Sequence, residues 1–190
     1  MYKTLIFTGP SAIGKTHVAK ELLKRYPEHF EQAKTYTTRQ PRQNEKMADR
    51  IFVSEDIFFK MISKVEFLVY GKFGDNWYGF TVDSVKPKNK HLLLNAWPEI
   101  IPQFCAYNHV TVVGMQAPKE YQRLLTGRMR NRGDDMDTIK KRMKLISKDQ
   151  EELVKNTSII NKHGIIFEVT DDNTIQNYII PWVIKSFGII

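Results

Sequence analysis

The segment Gly9-Pro-Ser-Ala-Ile-Gly14-Lys15-Thr16 follows the pattern G-x-x-x-x-G-K-[ST]. Each fixed position has a chemical reason. The glycines let backbone N–H groups turn inward around a phosphate, and Ser11, Ala12, Ile13 and Gly14 supply the loop. The helix that follows adds its positive N-terminus. Lys15 can reach the β- and γ-oxygens of a bound triphosphate, and the Thr16 hydroxyl is placed to coordinate Mg²⁺. A Gly-containing strand-to-helix turn without any ligand would read alike, but the flanks favour the chemistry. Tyr2–Thr8 (YKTLIFT) reads as a buried strand. In THVAKELLKRY, Val18, Leu22 and Leu23 share one helical face.

A second set of residues could hold a second phosphate. Thr37-Thr38-Arg39-Gln40-Pro41-Arg42 places two arginines three residues apart on a segment stiffened by proline. Guanidinium forks bind phosphate bidentately, so such a pair can grip one dianion from two sides. Spacing alone would equally suit two solvated surface arginines. Downstream, the Tyr78 hydroxyl in Asn76-Trp77-Tyr78-Gly79 could donate to the same phosphate. Net charge is +8, from 29 Lys+Arg against 21 Asp+Glu, which favours anionic partners. The arginines concentrate in two short segments, Arg39/Arg42/Arg50 and Arg123/Arg128/Arg130/Arg132. That clustering suits two phosphate-handling regions better than a nucleic-acid face, for which no base-stacking platform is evident.

These groups need elements to hold them. IFVS (51–54) reads as a short strand, and Ser54 then caps a helix with Glu55 and Asp56 in its first turn. Ala33–Thr38 is expected to be extended, and EFLVYGKF (66–73) to be a strand ending at Gly74. HLLLN (91–95) and HVTVVGM (109–115) are apolar runs expected of strands buried on both faces. Residues 98–106, 118–130 and 137–155 read as helices. IIFEVT (165–170) and TIQNYIIPWVIKSF (174–187) read as a strand and then a helix that Pro181 must kink or split. Strands alternating with helices predict a three-layer αβα fold around a central parallel sheet. Residues 33–83 break that rhythm and read as an inserted subdomain.

Composition sets bounds. At 190 residues, 42% hydrophobic and 26% charged, the chain can bury one ordinary core. No apolar run approaches the ~20 residues of a membrane span. The short apolar stretch at the N-terminus reads as a strand rather than a signal peptide. The single cysteine, Cys105, excludes an internal disulfide and reads as a core filler. A cytoplasmic protein is the expectation.

GPSAIGKT, TTRQPR, IFVSEDIFFKMI, EFLVYGKFGDNWYG and GRMRNRGDDMDTIKKR occur in the order found in guanylate kinases, and the chain resembles that family over nearly its whole length. The resemblance implies a P-loop NTPase core (1–32, 84–117 and 146–190), a nucleoside-monophosphate-binding insert (33–83) and a helical lid (118–145). It implies ATP and Mg²⁺ as cofactors and a nucleoside monophosphate as acceptor. Arg39, Arg42 and Tyr78 would hold the acceptor phosphate. Arg128, Arg132 and Arg142 would neutralise the phosphoryl group in transit, with Lys15 and Arg39 also catalytic.

The sequence also departs from the family, and the departures concern the acceptor and the metal. Where guanylate kinases carry a glutamate that pairs with guanine, this chain has Val69. Where they carry a small hydroxyl residue after the YG pair, it has Phe80. A tyrosine on the acceptor phosphate appears as Arg50, whereas Thr35 keeps the hydroxyl of a family serine. The acidic pair that ends the strand before the lid is replaced by Asn95 and Trp97. A site built around buried hydrogen bonds rejects a ligand lacking them by about 10⁴–10⁵, so exchanging those groups for apolar ones should end guanine's advantage. The expectation is an ATP-dependent nucleoside monophosphate kinase with a changed base preference. The alternatives are a protein-binding module on the same fold and a kinase for a phosphorylated sugar. The intact loop argues against the first, and TTRQPR with NWYG against the second.

Overall fold

The computed structural model describes residues 1–41, 49–107, 109–131 and 133–189. Among these residues, five strands form one wholly parallel sheet in the order β2–β7–β1–β8–β9. They are β1 (Thr4–Thr8), β2 (Phe30–Gln32), β7 (His91–Ala96), β8 (Val110–Gln116) and β9 (Gly164–Glu168). Every residue of β1 is buried, as the central place of a sheet covered on both faces requires. Its side chains alternate between two cores. Leu5 and Phe7 join Val18, Ala19 and Leu22 of helix α1 (Lys15–Arg25), with Ile175, Ile179 and Val183 from the C-terminal segment. Ile6 faces the other way, with Ile101 and Phe104 of α4 (Ile101–Cys105) and Ile160 of α7 (Thr157–His163). That alternation is the three-layer α/β architecture anticipated from the strand–helix rhythm.

Four further strands make a second, mixed sheet in the order β4–β3–β6–β5. These are β3 (Thr35–Thr37), β4 (Arg50–Phe52), β5 (Phe67–Phe73) and β6 (Asn76–Thr81), and helix α2 (Glu55–Ser63) packs against them. Phe58 of α2 stacks on Phe67 at 4.6 Å between centroids, and Phe59 meets Trp77 edge-to-face at 5.4 Å. The short α3 (Val82–Val85) leads back to the first sheet. The extended run expected at 33–38 is a strand only over Thr35–Thr37. Phe30–Gln32 pairs with β7, and the chain joins the second sheet only from Thr35. Ala33 N–H and Gln32 Nε2 both donate to the Leu93 carbonyl, which holds the crossing point to the first sheet.

Two long helices follow β8, namely α5 (Gln122–Asn131) and α6 (Met136–Lys155), the second capped by the Asp135 carboxylate. At the C-terminus α8 (Asp172–Thr174) runs through a π-helical turn at Ile175–Ile179 into α9 (Ile180–Ser186). The break expected of Pro181 is thus realised just ahead of it. Pro181 follows directly on that wider turn, in the first turn of α9. Strands β2 and β6 and helices α3 and α7 had no counterpart in the sequence reading. Cys105 is 8% exposed, and burial pushes its thiol up to about 11, in keeping with a packing role. No helix among the described residues is long and apolar enough to cross a membrane.

Ser54 caps α2 by accepting a hydrogen bond from the Ile57 N–H at 3.3 Å. Replacing it with Ala should cost about 1 kcal/mol, lowering Tm by about 2–4 °C for a chain of this size in a thermal melt.

Candidate active site

The loop between β1 and α1 is held in shape by close packing. A Cβ on Gly9 would stand 2.0 Å from the Met115 carbonyl oxygen of the neighbouring strand β8. Its φ of 137° belongs to a region that L-residues avoid. Gly14, at φ 121°, forms the N-cap of α1. Ile13 is fully buried in the first core, so only its backbone faces outward. Lys15 Nζ folds back and donates to the carbonyls of Gly9 (2.6 Å) and Pro10 (2.8 Å). An ammonium thus stands at the mouth of the glycine-containing loop.

One cavity opens from the loop toward the second sheet. Ser11, Ala12, Lys15 and Thr16 form its floor. Thr35 and Arg39 come from the start of the insert, and Arg50 from β4. Tyr78 and Phe80 come from β6, and Arg142 and Asp149 from α6. The described residues therefore gather three guanidinium groups and one ammonium from four separate segments. Arg39 lies 5.6 Å from the Phe52 ring centroid and donates to the Gln40 carbonyl, while Arg142 pairs with Asp134 at 3.5 Å. Arg50 sits beside Asp49 at 4.0 Å. Arg42, expected on the acceptor phosphate, and Arg132, expected on the phosphoryl group in transit, lie outside the described residues.

Arg128 is placed differently from Arg142. It reaches the outer side of the loop, donating to the carbonyls of Ala12 (3.3 Å) and Ile13 (3.1 Å) and to the Asp172 carboxylate. There it lines a second hollow with Gly14, Lys15, Thr16 and His17. Lys15 and Thr16 therefore stand where the two hollows meet.

Val69 does not form cavity wall. It is 1% exposed within the second core. Its strand neighbour across the sheet, Phe80, is equally buried yet does reach the cavity, and it packs edge-to-face on Phe104 at 5.2 Å. The residues that do line the wall there are Phe73 and Trp97. Trp97 meets Phe73 and Tyr78 at 5.7 Å each, and its ring fits only because residue 71 is glycine: a Cβ on Gly71 would come within 2.9 Å of Trp97 Cζ2. Of the apolar pair named from the sequence, Phe80 therefore lines the cavity beside this aromatic trio and Val69 does not.

Asp149 was not singled out from the sequence. On α6, Ile139, Ile146 and Leu153 recur every seven residues and face the core. Arg142 and Asp149 each follow one of those positions by three, so both ride the buried stripe, and a charge there was the available signal. Asp149 is 4% exposed. Burial pushes its carboxyl up to about 7, with the Lys15 and then the Lys148 ammonium pulling it partly back.

The central parallel sheet, with its glycine-containing loop between β1 and α1, defines a P-loop α/β protein. The model of the guanylate kinase family matches residues 1–166, and the chain belongs to that family. A guanylate kinase from Prochlorococcus marinus subsp. pastoris is 41% identical over 87 residues, covering 45% of this chain and 47% of that protein. MAGUK p55 subfamily member 7 of Xenopus tropicalis is 32% identical over 101 residues, 51% of this chain and 18% of that protein. The matched stretches therefore span about half of the first relative and under a fifth of the second. The crystal structure of guanylate kinase from Anaplasma phagocytophilum superposes with a TM-score of 0.60 at 20% identity, over 97% of this chain and 85% of that one, which supports the fold.

Because its folded-state value lies above the unfolded 3.8, the Asp149 carboxyl is better tolerated neutral than charged. Its cost to stability is absent below about pH 4 and grows as pH rises to about 7, reaching about 4 kcal/mol at ~1.36 kcal/mol per pH unit. Asp149→Asn should therefore melt at a higher temperature than the parent at pH 8, with the difference vanishing at pH 4. Equal melting temperatures at pH 8 would contradict this account.

Proposed function

We propose that the protein is a cytoplasmic ATP-dependent kinase that transfers the γ-phosphoryl group to a nucleoside 5'-monophosphate. The observation that carries the reading is the meeting of Lys15 and Thr16 with Arg39, Arg50 and Arg142 around one cavity. Phosphoryl transfer asks little covalent chemistry of a protein beyond alignment and cations around the equatorial oxygens. In this reading the loop amides of Ser11–Gly14 hold the donor phosphates. Lys15 exchanges its bonds to the Gly9 and Pro10 carbonyls for β- and γ-oxygens. Arg39, Arg42, Arg50, Thr35 and Tyr78 hold the acceptor phosphate. Arg142 and Arg132 approach the transferring group, and Arg128 serves the donor side. Thr16 would hold Mg²⁺, which neutralises charge on the β- and γ-phosphates when bound.

The acceptor's base is proposed to lie against Phe73, Tyr78, Phe80 and Trp97. Stacking on aromatic faces is worth about 1–3 kcal/mol per base and is tolerant of base identity. Among the described residues, guanine's N1–H and N2 donors would meet no carboxylate on that wall, and each buried donor left unpaired costs about 1–3 kcal/mol. A base other than guanine, or several bases, fits this wall better.

A second reading, a protein-binding module with little catalysis, draws support from the resemblance to a MAGUK p55 protein and from Asn95 and Trp97 standing in place of an acidic pair. The intact cradle favours the enzyme.

An ADP-release assay with ATP, Mg²⁺ and a panel of ribo- and deoxyribonucleoside monophosphates separates these readings. Turnover is expected with at least one acceptor, and GMP and dGMP should not exceed all others in kcat/KM by orders of magnitude. Lys15→Ala should abolish turnover, and Arg39→Ala should raise the acceptor KM at least ~10-fold, as loss of a charge-assisted bond of about 1.5–3 kcal/mol implies. Absence of turnover with every acceptor would leave the binding module standing. A strong preference for GMP would refute the altered base site.

A further inference from the structure

Three buried side-chain oxygens among the described residues have no hydrogen-bond partner: Thr8 Oγ1, Asn95 Oδ1 and Asp149 Oδ2. Buried acceptors are ordinarily paired, so an unpaired group marks a place where a donor belongs. The three are not scattered. Thr8 precedes Gly9 and lies in register with Ala96, the neighbour of Asn95. Asn95 and Asp149 line the same cavity as Lys15 and Thr16. Crevices at the carboxyl ends of parallel strands are where ligands of such sheets bind.

The charge around them narrows the choice of donor. Asp149 is the only carboxylate among the described residues lining that cavity, which also carries Lys15, Arg39, Arg50 and Arg142. A phosphate would be repelled by it, and no cationic side chain of the cavity is hydrogen-bonded to its Oδ2. A small hard cation of the Mg²⁺ type keeps several waters when it binds to phosphates, and those waters present only hydrogens outward. Two unpaired acceptor oxygens, one of them on a carboxyl group, match that shell. The hydroxyl of Thr16, on the same cavity, is the group suited to touch the ion itself.

We propose that Asp149 and Asn95 form an outer seat for a hydrated divalent cation, accepting hydrogen bonds from its waters while Thr16 and the triphosphate hold the ion directly. Asp149 thereby supplies, from α6, the negative charge that is missing at the end of β7, where Asn95 and, just past the strand, Trp97 stand. The proposal rests on the kinase reading above. Both residues act as positioning groups toward the ion.

Calorimetric binding of a non-hydrolysable ATP analogue, once in EDTA and once in excess Mg²⁺, tests it. For the parent, the metal should tighten binding. Asp149→Asn keeps the shape and removes the charge. It should bind the analogue more tightly than the parent in EDTA, where a carboxylate no longer repels the triphosphate. Its gain from Mg²⁺ should fall about 10-fold, in the range typical of lost outer-shell contacts. Asn95→Ala should lose part of the same gain, and Mn²⁺ electron paramagnetic resonance should show weaker Mn²⁺ uptake by both variants with the analogue bound. An unchanged metal gain overturns the proposal. So does equal weakening with and without metal, which marks a purely structural role. So does an intact metal gain with weakened monophosphate binding, which makes Asp149 an acceptor contact. If the parent binds no analogue in either condition, the kinase reading falls, and this seat with it.

Discussion

The close approach of the β1–α1 loop to its neighbours governs the rest of the site. Gly9 lies so near the Met115 carbonyl that no side chain fits, and a Cβ on Gly14 would stand 2.6 Å from Ile175 Cδ1. The loop is therefore wedged between the adjacent strand β8 and the π-helical turn of the C-terminal segment. Its amides acquire a fixed direction without help from a ligand, which is the preorganisation that phosphate binding requires. Everything else in the cavity is arranged about that fixed point. Thr35 and Arg50 arrive on the second sheet, Arg142 and Asp149 on α6, and Trp97 at the end of β7.

Much of this was legible because local chemistry was strict. The glycines, Lys15 and Thr16 each answer to one requirement of a phosphate cradle, and the buried strands announced themselves as unbroken apolar runs. The Ser54 cap and the break near Pro181 likewise follow from single-residue rules. What stayed hidden depends on contacts between distant segments. Strand β6 is polar enough at Asn76 and short enough to pass for a loop, and it becomes a strand only by pairing with β3 and β5. The division of residues 30–37 between two sheets hangs on two bonds to Leu93, more than fifty residues away.

The base wall shows the same limit more sharply. Val69 and Phe80 were named together from the family pattern, and they are cross-strand partners. Both are buried in the second core, and of the two only the larger Phe80 extends to the cavity. Trp97 could be seen to replace an acidic residue, but its role as wall depends on Gly71, on a different sheet. Asp149 was legible in principle as a carboxylate on an apolar stripe. Its meaning appeared only when the fold set it beside Lys15.

Arg128 spans the loop carbonyls and Asp172, which joins α5 to the segment just ahead of the π-helical turn. A guanidinium engaged in this way acts as a latch across the mouth of the outer hollow. In the proposed kinase, entry of a triphosphate would be an exchange of anionic and carbonyl partners for phosphate partners, rather than a simple addition. Such an exchange links ligand arrival to release of the helical arm, and it makes the opening sensitive to ionic strength, since dissolved salt weakens an exposed pair more than a buried one.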